Sequence, residues 1–306
     1  MQYFDQDTIL YLNGSYVKAV DAKIDLYSQS LHYGYGVFEG IRSYRSIEGE
    51  TRIFKAEEHF ERLRESARAI NLPFHWDTQE LIAATYTVLE QNNLQDAYIR
   101  PLVFAPPNMT YAFNTVSYIT IQAWKMQPFL GEKLLRVMSS SFQRPNPLGF
   151  HIHAKACGHY VNSIVSSQDA KRQGYDEALL KDMEGFVAEG PGANVFYEKD
   201  GKLITPAPGY ILNGITRQTV LGICQDLGIP VIEKQVTHEE LRSADTAFFC
   251  GTGVEVIGWQ GVDDQDFPLS FDDSLSGIIR KAYLALVRAD FETYNHCKST
   301  VLPLQQ

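Results

Sequence analysis

No stretch of this 306-residue chain is apolar for the 18 or more positions that a membrane-spanning helix requires. Positive charge is also scarce. Twenty-seven Lys and Arg face 37 Asp and Glu, for a formal charge of −10. That balance excludes a general nucleic-acid binder, which needs a basic stripe to neutralise phosphates. The cysteines are only four, Cys157, Cys224, Cys250 and Cys297, with no CxxC pair and no metal-ligand spacing. They read as reduced thiols of a cytosolic protein. His151 and His153 have no further ligand at a convincing interval, so no metal is expected. The N-terminal Met1-Gln2-Tyr3-Phe4-Asp5-Gln6-Asp7 has neither the basic nor the apolar region of a secretory signal, and a cytoplasmic location is expected. Repeats and low-complexity segments are absent.

What is present is ordinary for a globular protein: 44% apolar and 21% charged residues, over a length that supports two α/β lobes. We expect a small N-terminal α/β domain over residues 1–125, a connector over 126–133 and a larger C-terminal domain over 134–306. Asn13-Gly14 joins two strands in a hairpin. Val37 to Tyr44 reads as one strand, and Glu48-Gly49 turns the chain into Thr51–Phe54. Phe60, Leu63, Ala67 and Ile70 share one face of a helix over 56–70, and Asp77 with Glu80 opens another that reaches about Gln91. Further strands are expected over 97–104, 116–123, 134–140, 177–180 and 247–250. Helices are expected over 160–172, from Thr216 to Gly228, after the Thr237-x-x-Glu240 box, and over 275–288. The tail after Phe291 carries no recognisable signal.

Five stretches carry chemistry. In His153-Ala154-Lys155-Ala156-Cys157-Gly158-His159-Tyr160 a lysine stands among small residues with a tyrosine five positions on. A free amine is almost fully protonated at neutral pH, and burial among apolar neighbours is what turns a lysine into a nucleophile toward an aldehyde. Taken alone, most lysines are solvated surface charges. Arg100 sits in the apolar Ala97–Phe104 strand, where a buried arginine needs an anion such as a carboxylate. A half-exposed strand would explain it equally well. Glu189, in Val187-Ala188-Glu189-Gly190-Pro191, needs a cation unless it faces solvent from a turn, and a protonated pyridine nitrogen would serve. Gly214-Ile215-Thr216 leads into a helix and presents free N–H groups to a phosphate, and Gly251-Thr252-Gly253 is a second compact anion site.

Together these pieces resemble the class IV (fold type IV) aminotransferases, and most closely their branched-chain amino-acid group. The resemblance rests on Tyr33-Gly34, Val37-Phe38-Glu39-Gly40-Ile41-Arg42, Tyr98-Ile99-Arg100-Pro101, Ala154-Lys155, Glu189-Gly190, Leu212-x-Gly214-Ile215-Thr216-Arg217 and Gly251-Thr252, in this order over residues 8–288. It implies a two-lobed α/β fold with pyridoxal 5′-phosphate between the lobes and the C-terminal domain binding the cofactor. By the same resemblance Lys155 forms the covalent link to the cofactor and shuttles the proton. Glu189 holds the pyridine nitrogen and Tyr160 the ring hydroxyl. Arg62, Ile215, Thr216 and Thr252 bind the phosphate. Tyr98 and Arg100, with backbone groups near Thr252 and Gly253, anchor the substrate carboxylate, and Tyr33 and Phe38 line the pocket. A dimer partner completes that pocket through its loop after Pro101.

The implied reaction moves an amino group between branched-chain L-amino acids and 2-oxoglutarate. D-amino-acid and (R)-amine transaminases and an aminodeoxychorismate lyase share the fold, but Tyr33, Gly40 with Arg42, and Tyr98 with Arg100 favour the branched-chain group. A non-catalytic binding protein would have no need of both Lys155 and Glu189. Two departures bear on side-chain preference. Pro106-Pro107-Asn108-Met109-Thr110-Tyr111 replaces a glycine-rich loop, and Met126 and Phe129 stand where relatives often carry tryptophan and tyrosine. The expectation is that aromatic L-amino acids are accepted as well.

Overall fold

The computed structural model describes residues 3–126 and 129–304, so two positions of the expected connector, 127 and 128, lie outside the described residues. The chain divides into two compact units, one of residues 3–126 with His153–Tyr160, the other of residues 129–152 and 161–304. The lysine stretch therefore groups with the first unit, although it follows the connector in sequence.

The first unit is a seven-stranded sheet with two long helices on one face. Strands β1 (Ile9–Leu12) and β2 (Ser15–Lys18) form the expected hairpin, with Asn13 and Gly14 both at positive φ, as its two-residue turn demands. After helix α1 (Gln29–Tyr33) come β3 (Gly36–Phe38), β4 (Ile41–Arg45), β5 (Thr51–Ile53), helices α2 (Ala56–Ala69) and α3 (Thr78–Gln91), and strands β6 (Ala97–Phe104) and β7 (Tyr118–Trp124). The sheet order is β2-β1-β7-β6-β4-β5, with β3 also paired to β6. Asp77 caps α3 by accepting from the N–H groups of Gln79 and Glu80.

The single strand expected over Val37–Tyr44 is broken at Glu39-Gly40. Opposite the break lies Pro101, in the middle of β6, and proline has no N–H to give a neighbouring strand. Its carbonyl still accepts from Glu39 N–H at 2.9 Å. The break lets Glu39 turn inward. It also needs glycine at 40, because a Cβ there would stand 2.0 Å from the Tyr98 hydroxyl oxygen.

Alternation along β6 divides its residues between two faces. Ala97, Ile99 and Val103 join Ile41, Ile119, Ile121, Phe60, Leu63 and Val88 in the core beneath α2 and α3. Tyr98 and Arg100 point the other way, in register with Trp124 and Gln122 of β7, while Arg42 of β4 pairs with Tyr98. Of these, Arg42 and Tyr98 are buried. This second face carries Tyr98 and Arg100, two of the substrate residues expected from the sequence.

The second unit contains β8 (Leu135–Gln143), α4 (Tyr160–Arg172, whose first residue belongs to the other unit), β9 (Glu177–Lys181), β10 (Val187–Glu189), β11 (Asn194–Lys199) and β12 (Lys202–Pro206). Helix α5 (Ile215–Leu227), β13 (Val231–Lys234), α6 (His238–Arg242), β14 (Thr246–Gly251), β15 (Glu255–Val262), β16 (Gln265–Asp266), α7 (Leu275–Val287) and α8 (Phe291–Leu304) follow. Strands pair in the order β10-β9-β8-β15-β14-β11-β12-β13, and β10 also pairs with β11. That last pairing closes six strands into a ring. Alternate residues from them, including Leu135, Val137, Leu179, Val195, Phe249, Ile257 and Trp259, form one buried cluster, as the interior of a small barrel must. Phe196 and Phe248 alternate outward and stack on each other at 5.2 Å on the side where α5 and α7 pack. Thr237 and Glu240 make the complete capping box of α6. Among the described residues no helix is long and apolar enough to cross a membrane.

Candidate active site

In the first unit, the lysine stretch lies along β3. Ala156 pairs with Val37 and joins the core, so alternation turns Lys155 toward the face of Phe38 and Arg100. Its backbone is pinned on both sides: Lys155 N–H donates to Ser66 Oγ of α2 at 2.9 Å, and its carbonyl accepts from Phe38 N–H at 3.1 Å. Gly158 N–H donates to the carbonyl of Gly34, where a Cβ would come within 2.7 Å of Gly158 Cα, so glycine 34 admits the stretch. The side chain then reaches Tyr160, with Nζ 2.6 Å from Oη and 5.0 Å from the centres of the Phe38 and Tyr160 rings. Next to this pair, the Arg100 guanidinium lies 4.5 Å over the Phe38 ring, and its Nη2 donates to Tyr98 Oη at 2.9 Å. Lys155, Tyr160, Phe38, Tyr98 and Arg100 thus form one group.

Two expected residues have further partners. Tyr33, half-exposed at the end of α1, has its ring 6.1 Å from that of Tyr111 and 6.2 Å from that of His32. Arg62 of α2 is engaged by a carboxylate of the chain itself. Its Nε and Nη2 donate to Glu39 at 2.6 and 2.9 Å, and His59 Nδ1 lies 2.7 Å from the same carboxylate. Glu39 and His59 were not among the expected site residues. A usable signal existed: a carboxylate between Phe38 and Gly40 in an apolar run needs a cation, and His59 and Arg62 share a helix face three residues apart.

In the second unit, Glu189 ends β10 opposite Asn194, the first residue of β11. It is buried, and the groups that hold its carboxylate include Asn194 Nδ2 at 2.9 Å, Leu212 N–H at 3.1 Å, and Arg144 Nε at 2.8 Å. Asn194 Nδ2 also donates to the Leu212 carbonyl, and a Cβ on Gly214 would meet Asn194 Oδ1 at 2.1 Å. Glycine at 214 therefore lets the turn into α5 lie against the Glu189–Asn194 pair. Gly214 is the N-cap of α5 and offers no side chain to cap it, which leaves the N–H groups around Ile215 and Thr216 to an outside acceptor. Thr252 and Gly253 occupy the turn between β14 and β15, closed by Glu255 at φ 58°, the left-handed residue that a three-residue hairpin loop uses. Phe129 N–H donates to the Gly253 carbonyl at 2.8 Å, while the Phe129 residue is 65% exposed. This residue, expected to bear on side-chain preference, is thus exposed to solvent in this chain. Arg144 and Asn194 went unnoticed in the sequence, where nothing local distinguishes them.

The four cysteines are unpaired thiols. Burial pushes Cys157 up to about 11 and Cys224 up to about 12, which removes them as nucleophiles.

A family model described as amino-transferase class IV matches residues 36–260. The branched-chain-amino-acid aminotransferase of Pseudomonas aeruginosa is 36% identical over 98% of this chain and 100% of its own. Among solved structures, the branched-chain aminotransferase of Thermoproteus uzoniensis, crystallised with norvaline, aligns with a TM-score of 0.89 at 36% identity, covering 94% of this chain and 97% of its own. That of Thermobaculum terrenum, in its PLP-form, aligns with a TM-score of 0.86 at 31% identity, covering 96% and 98%. This chain belongs to the class IV aminotransferases, with their mixed α/β fold.

Proposed function

We propose that this protein is a pyridoxal 5′-phosphate-dependent aminotransferase that exchanges amino groups between branched-chain L-amino acids and 2-oxoglutarate. The observation that carries this reading is the Lys155 amine, 2.6 Å from Tyr160 Oη on a doubly pinned backbone, next to Arg100 and Tyr98. The donor chemistry fits the cofactor: a buried carboxylate at Glu189 suits a pyridine N–H, and the uncapped start of α5 suits a phosphate. When bound, the cofactor supplies an electron sink for cleavage at the substrate Cα.

The residues divide the remaining work. Lys155 Nζ holds the cofactor and then moves the proton. Tyr160 is assigned to the ring hydroxyl, Glu189 to the ring nitrogen, and Arg62, Ile215, Thr216 and Thr252 to the phosphate. Tyr98 and Arg100, with the backbone at Gly253, take substrate carboxylate, and Phe38 gives an apolar wall. A mixed aromatic and cationic face of this kind can accept both an aliphatic side chain and an acidic one. A solved branched-chain amino acid aminotransferase, 31% identical to this chain, is complexed with N-(5′-phosphopyridoxyl)-L-glutamate, which is consistent with an acidic substrate.

We also assign a cytoplasmic homodimer. Tyr111 and Phe113 are 95% and 87% exposed in the loop after β6, which is hydrogen-bonded to α1 through Gln29, and Leu26, Tyr27, Leu31 and Tyr33 are exposed beside it. An exposed apolar patch of this kind marks an interaction surface, and the loop after Pro101 is the part of each copy assigned to its partner's pocket. Sedimentation equilibrium is expected to give a dimer mass, and a stable monomer would remove the partner's loop from the site.

The test of the activity is a panel of L- and D-amino acids offered to the purified protein while its absorbance is followed. L-leucine, L-isoleucine and L-valine are expected to discharge the cofactor's absorption, and D-amino acids are not. Phenylalanine is expected to react too, because Met126 can yield to a larger group and apolar pockets discriminate by only about 1–3 kcal/mol per methylene. A kcat/KM for phenylalanine below about one-thousandth of that for leucine would exceed what pocket shape sets and rule this breadth out.

A further inference from the structure

The first unit holds a carboxylate that reaches no solvent. Glu39, at the break between β3 and β4, is 0% exposed, and its two oxygens receive four donors. These are Arg62 Nε at 2.6 Å, Arg62 Nη2 at 2.9 Å, His59 Nδ1 at 2.7 Å and Gly40 N–H at 3.2 Å. Burial would raise the carboxyl's pKa, but Arg62 and His59 outweigh it and hold it far below the usual carboxylate range. Burial likewise pushes the His59 imidazole below its ordinary value, against the pull of Glu39, and Nδ1–H, facing a carboxylate, is the donor.

Such a cluster is a poor device for stability alone, since well-packed apolar residues often replace a buried ion pair without loss. What it does supply is direction. A carboxylate that takes both Nε and Nη2 of an arginine fixes the plane of the guanidinium, which a single contact leaves free to swing. Arg62 is also the residue assigned above to the cofactor phosphate. The backbone adds a second link: Glu39 follows Phe38, whose N–H holds the Lys155 carbonyl at 3.1 Å. Two adjacent residues therefore clamp the lysine's backbone and the arginine's side chain.

We infer that Glu39, supported by His59, is a positioning residue that sets the orientation in which Arg62 meets the cofactor phosphate. This rests on the assignment of Arg62 to the phosphate, so the test separates the two. Apo-protein is titrated with pyridoxal 5′-phosphate and, in parallel, with pyridoxal, which lacks the phosphate, and the ratio of the two affinities is compared between variants. Glu39→Gln keeps the size of the side chain but not its charge. It is expected to weaken pyridoxal 5′-phosphate by about 10–100-fold, the range of a hydrogen bond to a charged group, and to leave pyridoxal within about twofold, inside the scatter of an indirect contact. Glu39→Asp keeps the charge but withdraws it by one methylene. It is expected to lower the ratio less, and it decides the matter if Glu39→Gln does not fold.

Equal loss for both ligands would make Glu39 merely structural and overturn the inference, as would an unchanged ratio in both variants. Arg62→Lys is the control on the premise. If it leaves the ratio unchanged, Arg62 does not hold the phosphate and that assignment fails. If it lowers the ratio and the Glu39 variants do not, only the positioning role falls.

Discussion

Lys155→Ala is expected to abolish turnover while the protein still binds pyridoxal 5′-phosphate. The variant removes the amine of the first unit's group that can both link to an aldehyde and carry a proton, and it leaves the anchors of that group in place. Ser66 Oγ and Phe38 N–H grip the main chain of residue 155, not its side chain, so the strand alignment along β3 survives the truncation. Arg62 and the start of α5, the groups assigned to the phosphate, lie outside the change, so phosphate-dependent binding is expected to persist. Loss of a positioned proton carrier alone costs about 10²–10⁴-fold, and loss of covalent catalysis adds to that. The check has two parts. Single-turnover mixing with L-leucine measures the rate, and borohydride treatment of the wild type followed by peptide mapping locates the attachment. Finding the cofactor on another lysine would sink the assignment.

Much of this group was legible because strand and helix periods are local. The Ala97–Phe104 strand and the Tyr160–Arg172 helix fall where apolar spacing puts them. Even the evenly weighted choice at Arg100 resolves through alternation: the strand has a core face, and the arginine is on the other one, packed over Phe38. The break between β3 and β4 was hidden, because it arises from Pro101 on a neighbouring strand some sixty residues later. The partners of the charged groups were hidden for the same reason. Arg144 meets Glu189 only because β8 and β10 flank β9 in the sheet, a pairing no window of sequence contains. Helix α8 was missed since its packing on α7, not a strong apolar stripe, makes it a helix. Strands β12 and β13 are short and pair in parallel across the whole of α5, which leaves no hairpin signal between them.

Glu189→Gln is expected to bind cofactor and to slow the proton-transfer half-reaction by on the order of a hundred-fold or more, a barrier increase of several kcal/mol. The surroundings of Glu189 make the size of this effect. Arg144 Nε at 2.8 Å, Asn194 Nδ2 at 2.9 Å and Leu212 N–H at 3.1 Å all favour the ionised carboxylate in a site with almost no solvent. A carboxylate so held can keep a proton on the ring nitrogen assigned to it, whereas a neutral amide cannot draw one there. The substitution also strands Arg144, itself buried, without its counter-charge, and breaking a buried pair destabilises by roughly 3–5 kcal/mol. A slow variant is therefore informative only if it is folded. Thermal unfolding of the holo-protein is measured first, and the stopped-flow rate with L-leucine is taken well below the lowered midpoint. Under those conditions a folded Glu189→Gln that reacts at the wild-type rate would place the ring-nitrogen partner on some other residue.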